Sequence, residues 1–286
     1  MLRQQRRWGQ RGERGLRRPR LRGLSLNRLV PNILTLLALC AGLSAIRFGL
    51  DGRFPAAVGA VLLAAVLDGL DGRVARLMNA TSRFGAELDS LSDFVCFGVV
   101  PPLLLYLWLQ GHGAGAAWPA VMIFAVCTAL RLARFNVALD DHDRPAWTYH
   151  FFSGVPSPAG AGLALLPMVA SFELPWSWLQ HPWVIGVWLV MVALLMVSRL
   201  PTFSGKRVRV RGQQVVFVLL AVGALAAGVA SEPWLTLLGC GLIYLGLIPV
   251  AVVQARRMQR ASPPPPAPAS PSAEPSGPAG DSASPA

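Results

Sequence analysis

Val184-Ile-Gly-Val-Trp-Leu-Val-Met-Val-Ala-Leu-Leu-Met-Val-Ser198 carries no charged side chain along its whole length. Val215–Ala230 has the same character, and similar apolar runs recur along the chain between short polar breaks. A helix crossing the hydrocarbon core of a bilayer needs about 20 mostly apolar residues. Eight segments reach or approach that length: 29–49, 55–76, 90–109, 117–136, 156–173, 183–200, 214–230 and 234–254. Over all 286 residues hydrophobic side chains make up 53% and charged ones only 14%. With a mean hydropathy of +0.49, this is not the composition of a soluble domain. The expected fold is therefore all-α, a polytopic transmembrane helix bundle of about eight spans.

The formal net charge is +12, almost all of it from arginine, with Lys206 the one lysine. The arginines gather in Arg3 to Arg28, Arg73 to Arg83, Arg131/Arg134, Arg199 to Arg211 and Arg256 to Arg260. With eight spans all of these groups fall on one side, and the opposite loops carry little positive charge. This is the positive-inside pattern, which predicts that both termini are cytoplasmic. Topology and attraction to anionic lipid account for the charge without a nucleic-acid partner. Cys40, Cys96, Cys127 and Cys240 are scattered through apolar segments and read as small buried hydrophobes rather than a disulfide framework or zinc site. Three regions are expected: a basic arm over 1–24, a membrane domain over 25–256 and a disordered Pro/Ala/Ser-rich tail over 257–286.

One stretch breaks the apolar pattern with acids. It reads Asp68-Gly-Leu-Asp71-Gly72-Arg-Val-Ala75-Arg76, followed by Gly85-Ala-Glu-Leu-Asp89-Ser-Leu-Ser-Asp93. Positions 68, 71, 72, 75 and 76 share one helical face, and so do 85, 89 and 93. The short connection between them predicts antiparallel neighbours whose four carboxylates converge at the cytoplasmic end of the bundle. Carboxylates within membrane spans are costly and mark function. A divalent cation, or a pair of them, is the simplest compensating partner. All-oxygen donors select a hard ion, Mg²⁺ or Mn²⁺, and such ions suit a diphosphate substrate. Gly72, Ala75 and Gly85 would clear space for a nucleotide close to the backbone, and Arg76 would offer a planar fork to a phosphate oxygen. The competing reading makes these aspartates helix caps or partners of nearby arginines. An ion-coupled transporter would also carry membrane acids, but at several depths rather than gathered near one face.

The same residues fill every fixed position of the signature Asp-x2-Asp-Gly-x2-Ala-Arg-x8-Gly-x3-Asp-x3-Asp, and in this the chain resembles the CDP-alcohol phosphatidyltransferase family. The resemblance implies that Asp68, Asp71 and Asp89 ligate metal. It also implies that Asp93, near the metals too, is the general base that takes the proton from the attacking hydroxyl, with CMP leaving. Further likenesses run from about 27 to 210: Pro31-Asn32-x2-Thr35, Leu130-Arg131-Leu-Ala-Arg134-Phe135-Asn136, Phe152-Ser-Gly154-Val-Pro156-Ser157-Pro158, and Met196-Val197-Ser198 followed by Lys206. Together these are similar to the members that use L-serine as acceptor and CDP-diacylglycerol as donor, and they imply a homodimer in the inner membrane. Asn32 and Thr35 would then hydrogen-bond the nucleotide or its phosphates. Arg131 and Arg134 would hold the serine carboxylate, Ser157 would contact the acceptor, and Lys206 and Arg207 would meet lipid phosphate. Glycerol 3-phosphate, inositol phosphate or choline are the alternative acceptors.

Overall fold

In a bilayer no water satisfies backbone N–H and C=O groups, so a lipid-facing chain must close its hydrogen bonds within each segment. The computed structural model describes residues 26–140, 151–198, 201–203 and 215–261, and these are helical almost throughout. The helices are α1 (Leu26–Leu50), α2 (Phe54–Leu77), α3 (Arg83–Asp93), α4 (Val100–Trp108), α5 (Trp118–Asp140), α6 (Ser157–Glu173), α7 (Pro182–Val197), α8 (Val215–Ser231) and α9 (Pro233–Ala261). A π-helical turn, Phe94–Val99, joins α3 to α4. Pro101 and Pro102 follow it and bring no backbone N–H. Val100 donates instead to Val95, the longer reach that defines a π-turn.

Among the described residues, helical rods therefore stand at all eight expected segments. Five of them, Leu29–Leu50, Phe54–Leu77, Arg83–Trp108, Ala114–Val137 and Pro233–Val250, are long and apolar enough to cross a membrane. The helix α7 and the Leu219–Ser231 part of α8 are shorter apolar helices, and α6 is buried over most of its length. Leu104, Leu105, Phe124, Leu163, Met168 and Ile185 are fully enclosed where α4, α5, α6 and α7 meet. Leu36 and Leu43 of α1, Leu219 of α8 and Ile243 of α9 are exposed. Continuous apolar faces of this kind would aggregate in water and are the natural surface toward lipid.

The most extensive interface joins α1 to α2, with Ala45 and Ala57 fully buried in one cluster. Small residues let membrane helices approach closely. The turn between them uses Gly52 at φ +71°, a conformation that glycine adopts freely, while Arg53 N–H donates to the Phe48 carbonyl at 2.8 Å.

Three details differ from expectation. Strands β1 (Phe151–Ser153) and β2 (Pro201–Phe203) form a short antiparallel pair with Phe152 opposite Thr202, a feature absent from a purely helical reading. The helix α7 stops at Val197 instead of 200, because Ser198 turns to extended backbone with ψ 152° on the way to β2. The helix α9 continues to Ala261, so the boundary placed at 256 falls inside it. Gln254 to Arg260 are good helix formers, and the proline run starts only at Pro263. The basic arm 1–24, Lys206, Arg207 and residues 262–286 lie outside the described residues.

Candidate active site

The acid-bearing part of α2 ends where Met78 N–H donates to Val74 O at 2.9 Å and Ala80 N–H to Ala75 O at 2.8 Å. Between them Asn79 is left-handed at φ 49°, a helix stop that asparagine tolerates better than most residues. Ser82 then opens α3 as its N-cap, its Oγ accepting from Gly85 N–H at 3.0 Å. The two acidic helices do not pack along each other as neighbours. Each leans on α1, and their mutual contact is sparse. Facing carboxylates repel, and the splay leaves a gap between them.

One oxygen each from Asp68, Asp71 and Asp89 lie within 4.8 Å of one another. Asp71 is 4% exposed and accepts a hydrogen bond from Thr35 Oγ1 at 2.5 Å; the same hydroxyl lies 3.1 Å from the Pro31 carbonyl. The hydroxyl expected to face the nucleotide is thus turned toward the Asp71 carboxylate. Asp93 meets Asp68 carboxyl to carboxyl, and its Oδ1 is buried without a hydrogen-bond partner. An orphaned buried acceptor is costly and fits a site completed by a cation or an acceptor hydroxyl. The donor set is all oxygen, as a hard divalent cation requires.

Arg131 of α5 reaches toward the same centre, within electrostatic range of Asp93. Its Nη1 donates to Ser157 Oγ, and its buried Nε has no partner. Ser157, fully buried at the start of α6, therefore holds the arginine. Arg134 is drawn away: its Nη1 donates to the Val197 carbonyl at 3.1 Å, closing the end of α7. Gly72 opens onto free space, whereas a Cβ on Gly85 would come 2.9 Å from Asn32 Oδ1. Gly85 and Asn32 thus form the close approach of α3 to α1. Arg76 is exposed and Ala75 half-buried at the mouth of the gap.

Two contributors were missed from sequence. Ser92, 2% exposed, donates to the Thr35 carbonyl at 3.4 Å and ties α3 to α1 beside the carboxylates. Tyr244 of α9 lies within electrostatic range of Arg131. A single phenol inside an apolar span was the available signal, since a buried Tyr hydroxyl seeks a polar neighbour.

Known proteins are similar to this chain in sequence. The chain is 38% identical over 239 residues to the CDP-diacylglycerol–serine O-phosphatidyltransferase of Mycobacterium leprae, covering 84% of this chain and 79% of that one. It is 38% identical over 235 residues to the enzyme of the same name from Mycobacterium tuberculosis, covering 82% of each chain. The similarly named protein of Methanocaldococcus jannaschii is 33% identical over 186 residues, covering 64% of this chain and 78% of that one. Residues 28–240 match the family profile described as CDP-alcohol phosphatidyltransferase, and with four aspartates gathered at the ends of α2 and α3, the chain belongs to that family.

Proposed function

We propose that this protein transfers the phosphatidyl group of CDP-diacylglycerol to the hydroxyl of L-serine, giving phosphatidylserine and CMP. The observation that carries the reading is the convergence of Asp68, Asp71 and Asp89 within 4.8 Å, beside an Asp93 oxygen that has no partner. The serine acceptor is supported by the names of the relatives and by Arg131, a half-buried cation within electrostatic range of Asp93. Mg²⁺ or Mn²⁺, as one ion or a pair, would be held by Asp68, Asp71 and Asp89, with Asp93 close by, and would supply charge neutralisation for the diphosphate.

The chain's own residues do the rest. Asp93 Oδ1 accepts the proton of the serine hydroxyl as its oxygen attacks the lipid-side phosphorus. Arg131, oriented by Ser157, binds the serine carboxylate and sets the hydroxyl near Asp93. Gly72 and Ala75 leave room for the nucleotide, and Arg76 binds a phosphate oxygen at the mouth. Thr35 keeps Asp71 in place from behind. The arginine distribution supports an eight-span protein of the inner membrane with both termini and the site cytoplasmic. A homodimer is part of the same proposal, resting on likeness to the family alone.

The test is CMP release by purified protein in detergent or liposomes, with CDP-diacylglycerol, Mg²⁺ or Mn²⁺, and serine, glycerol 3-phosphate, inositol phosphate or choline in separate reactions. Release with serine alone, abolished by EDTA and restored by added metal, is expected. Release with a different alcohol would keep the chemistry and replace the acceptor.

A further inference from the structure

Ser157, the hydroxyl that holds Arg131, is flanked in the chain by Gly154 and Gly160, and both glycines close on Met196 at the end of α7. Gly154 sits at φ +82°, a left-handed conformation that glycine adopts without strain. A Cβ there would strike the Met196 carbonyl and come 2.8 Å from the Ser198 carbonyl. Val155 N–H then reaches the Leu195 carbonyl at 3.4 Å, one of the acceptors that the end of a helix leaves open. On the other flank, Gly160 stands one turn after Ser157 on the same face of α6. A Cβ on Gly160 would strike Met196 Sδ and lie 2.9 Å from Met196 Cγ. Met196 and Ser157 are each 1% exposed. An unbranched thioether suits an irregular gap of this kind.

We infer that Met196 is a positioning residue for the acceptor: it fixes where the Ser157 hydroxyl stands and, through it, where Arg131 points. The inference rests on the function proposed above. The argument turns on what holds the guanidinium. Arg131 Nη1 donates to Ser157, while its buried Nε has no partner. A long side chain tethered in this way follows its tether. The tether in turn follows Met196, because the backbone on both sides of Ser157 is fitted against that one residue. The effect is confined to the acceptor. The helix α7 packs on α5 and α6, whereas both acidic helices lean on α1. A change at Met196 therefore displaces the serine-binding cation and leaves the carboxylates in place. The stretches around Gly154 and Met196, far apart in the chain, thus share one task.

Size exchange between Gly160 and Met196 supplies the test. Gly160→Ala, Met196→Ala and the double variant would be assayed for CMP release at varied serine and at varied CDP-diacylglycerol, with thermal unfolding followed for each. Gly241→Ala is the control. Its Cβ would lie 2.9 Å from Leu166 Cδ1, overpacking α6 about 14 Å from Ser157. Each single variant at Gly160 or Met196 should raise the KM for serine by about tenfold, as loss of a charged hydrogen bond implies. The KM for CDP-diacylglycerol should stay within about twofold, since only acceptor binding is touched. In the double variant the new methyl enters the space the thioether leaves, and the serine KM should return to within about threefold of wild type. Gly241→Ala should lower the unfolding temperature and keep the serine KM within about twofold. If Gly160→Ala does not fold, the recovery of serine KM from Met196→Ala to the double variant decides the matter alone. Unchanged serine KM in the folded single variants, an equal rise for both substrates, no recovery in the double variant, or an equal rise in Gly241→Ala would overturn the assignment while leaving the transferase reading intact. A wild-type protein that releases no CMP with serine would instead remove the transferase reading.

Discussion

Thr35 and Asp93 both border the carboxylate cluster and do opposite things. Thr35 spends its hydroxyl on Asp71 at 2.5 Å, fixing a proposed metal ligand, while Asp93 keeps a buried oxygen unspent. Partners behind a metal ligand typically contribute 10- to 100-fold in metal affinity. Thr35→Val should therefore raise the Mg²⁺ concentration for half-maximal activity by about tenfold or more, with turnover at saturating metal largely kept; a metal titration of CMP release reads this directly. Asp93→Asn keeps the shape and loses the proposed base, so turnover should fall on the order of a thousandfold while binding of CDP-diacylglycerol persists in a spin-column or calorimetric assay. The two arginines separate in the same way. Arg131→Ala should raise the KM for serine by about tenfold or more, as loss of a charged hydrogen bond implies. Arg134→Ala, whose guanidinium serves the Val197 carbonyl, should leave that KM within about twofold and lower the unfolding temperature by a few degrees.

At the scale of elements, α1 is the common support of both acidic helices. Gly85 is where α3 comes closest to it, and a side chain there would press on Asn32 Oδ1. Gly85→Val should push α3 off α1 and carry Asp89 with it. Overpacking of this kind costs about 1–3 kcal/mol, visible as a lowered unfolding temperature, and activity should drop by about a hundredfold through misplacement of Asp89. The four aspartates and the helices that bear them were legible in the sequence because side chains three and four apart share a helical face. Two relations were not legible. Thr35 and Asp71 are 36 residues apart, and no periodicity links one helix to another. The splay of α2 from α3 arises from charge repulsion and from a shared third helix, neither of which is written in spacing. The π-turn was hidden too: a pair of prolines signals a disturbed helix, but not which longer hydrogen bond absorbs it.

For the whole molecule, apolar runs placed all eight rods, because a membrane core accepts little but helices of the right length. Their ends were less legible: α7 stops where Ser198 turns to extended backbone, and α9 runs on through good helix formers to Ala261. Orientation rests on the arginines and is open to direct measurement. In a chain with its native cysteines replaced, a cysteine at Asn79, between α2 and α3, should resist a membrane-impermeant maleimide in intact cells, and one at His112, between α4 and α5, should react. The reverse pattern would invert the assigned topology.

The support that α1 gives to both acidic helices also has a meaning in time. Chains are made and fold from the N-terminus onward, so α1 enters the membrane before the helix that brings Asp68 and Asp71. When α2 arrives, the most deeply buried of its acids finds a hydroxyl already waiting at Thr35, well before Asp89, Asp93 or Arg131 has been synthesised. The nascent protein never has to hold Asp71 in lipid unaccompanied.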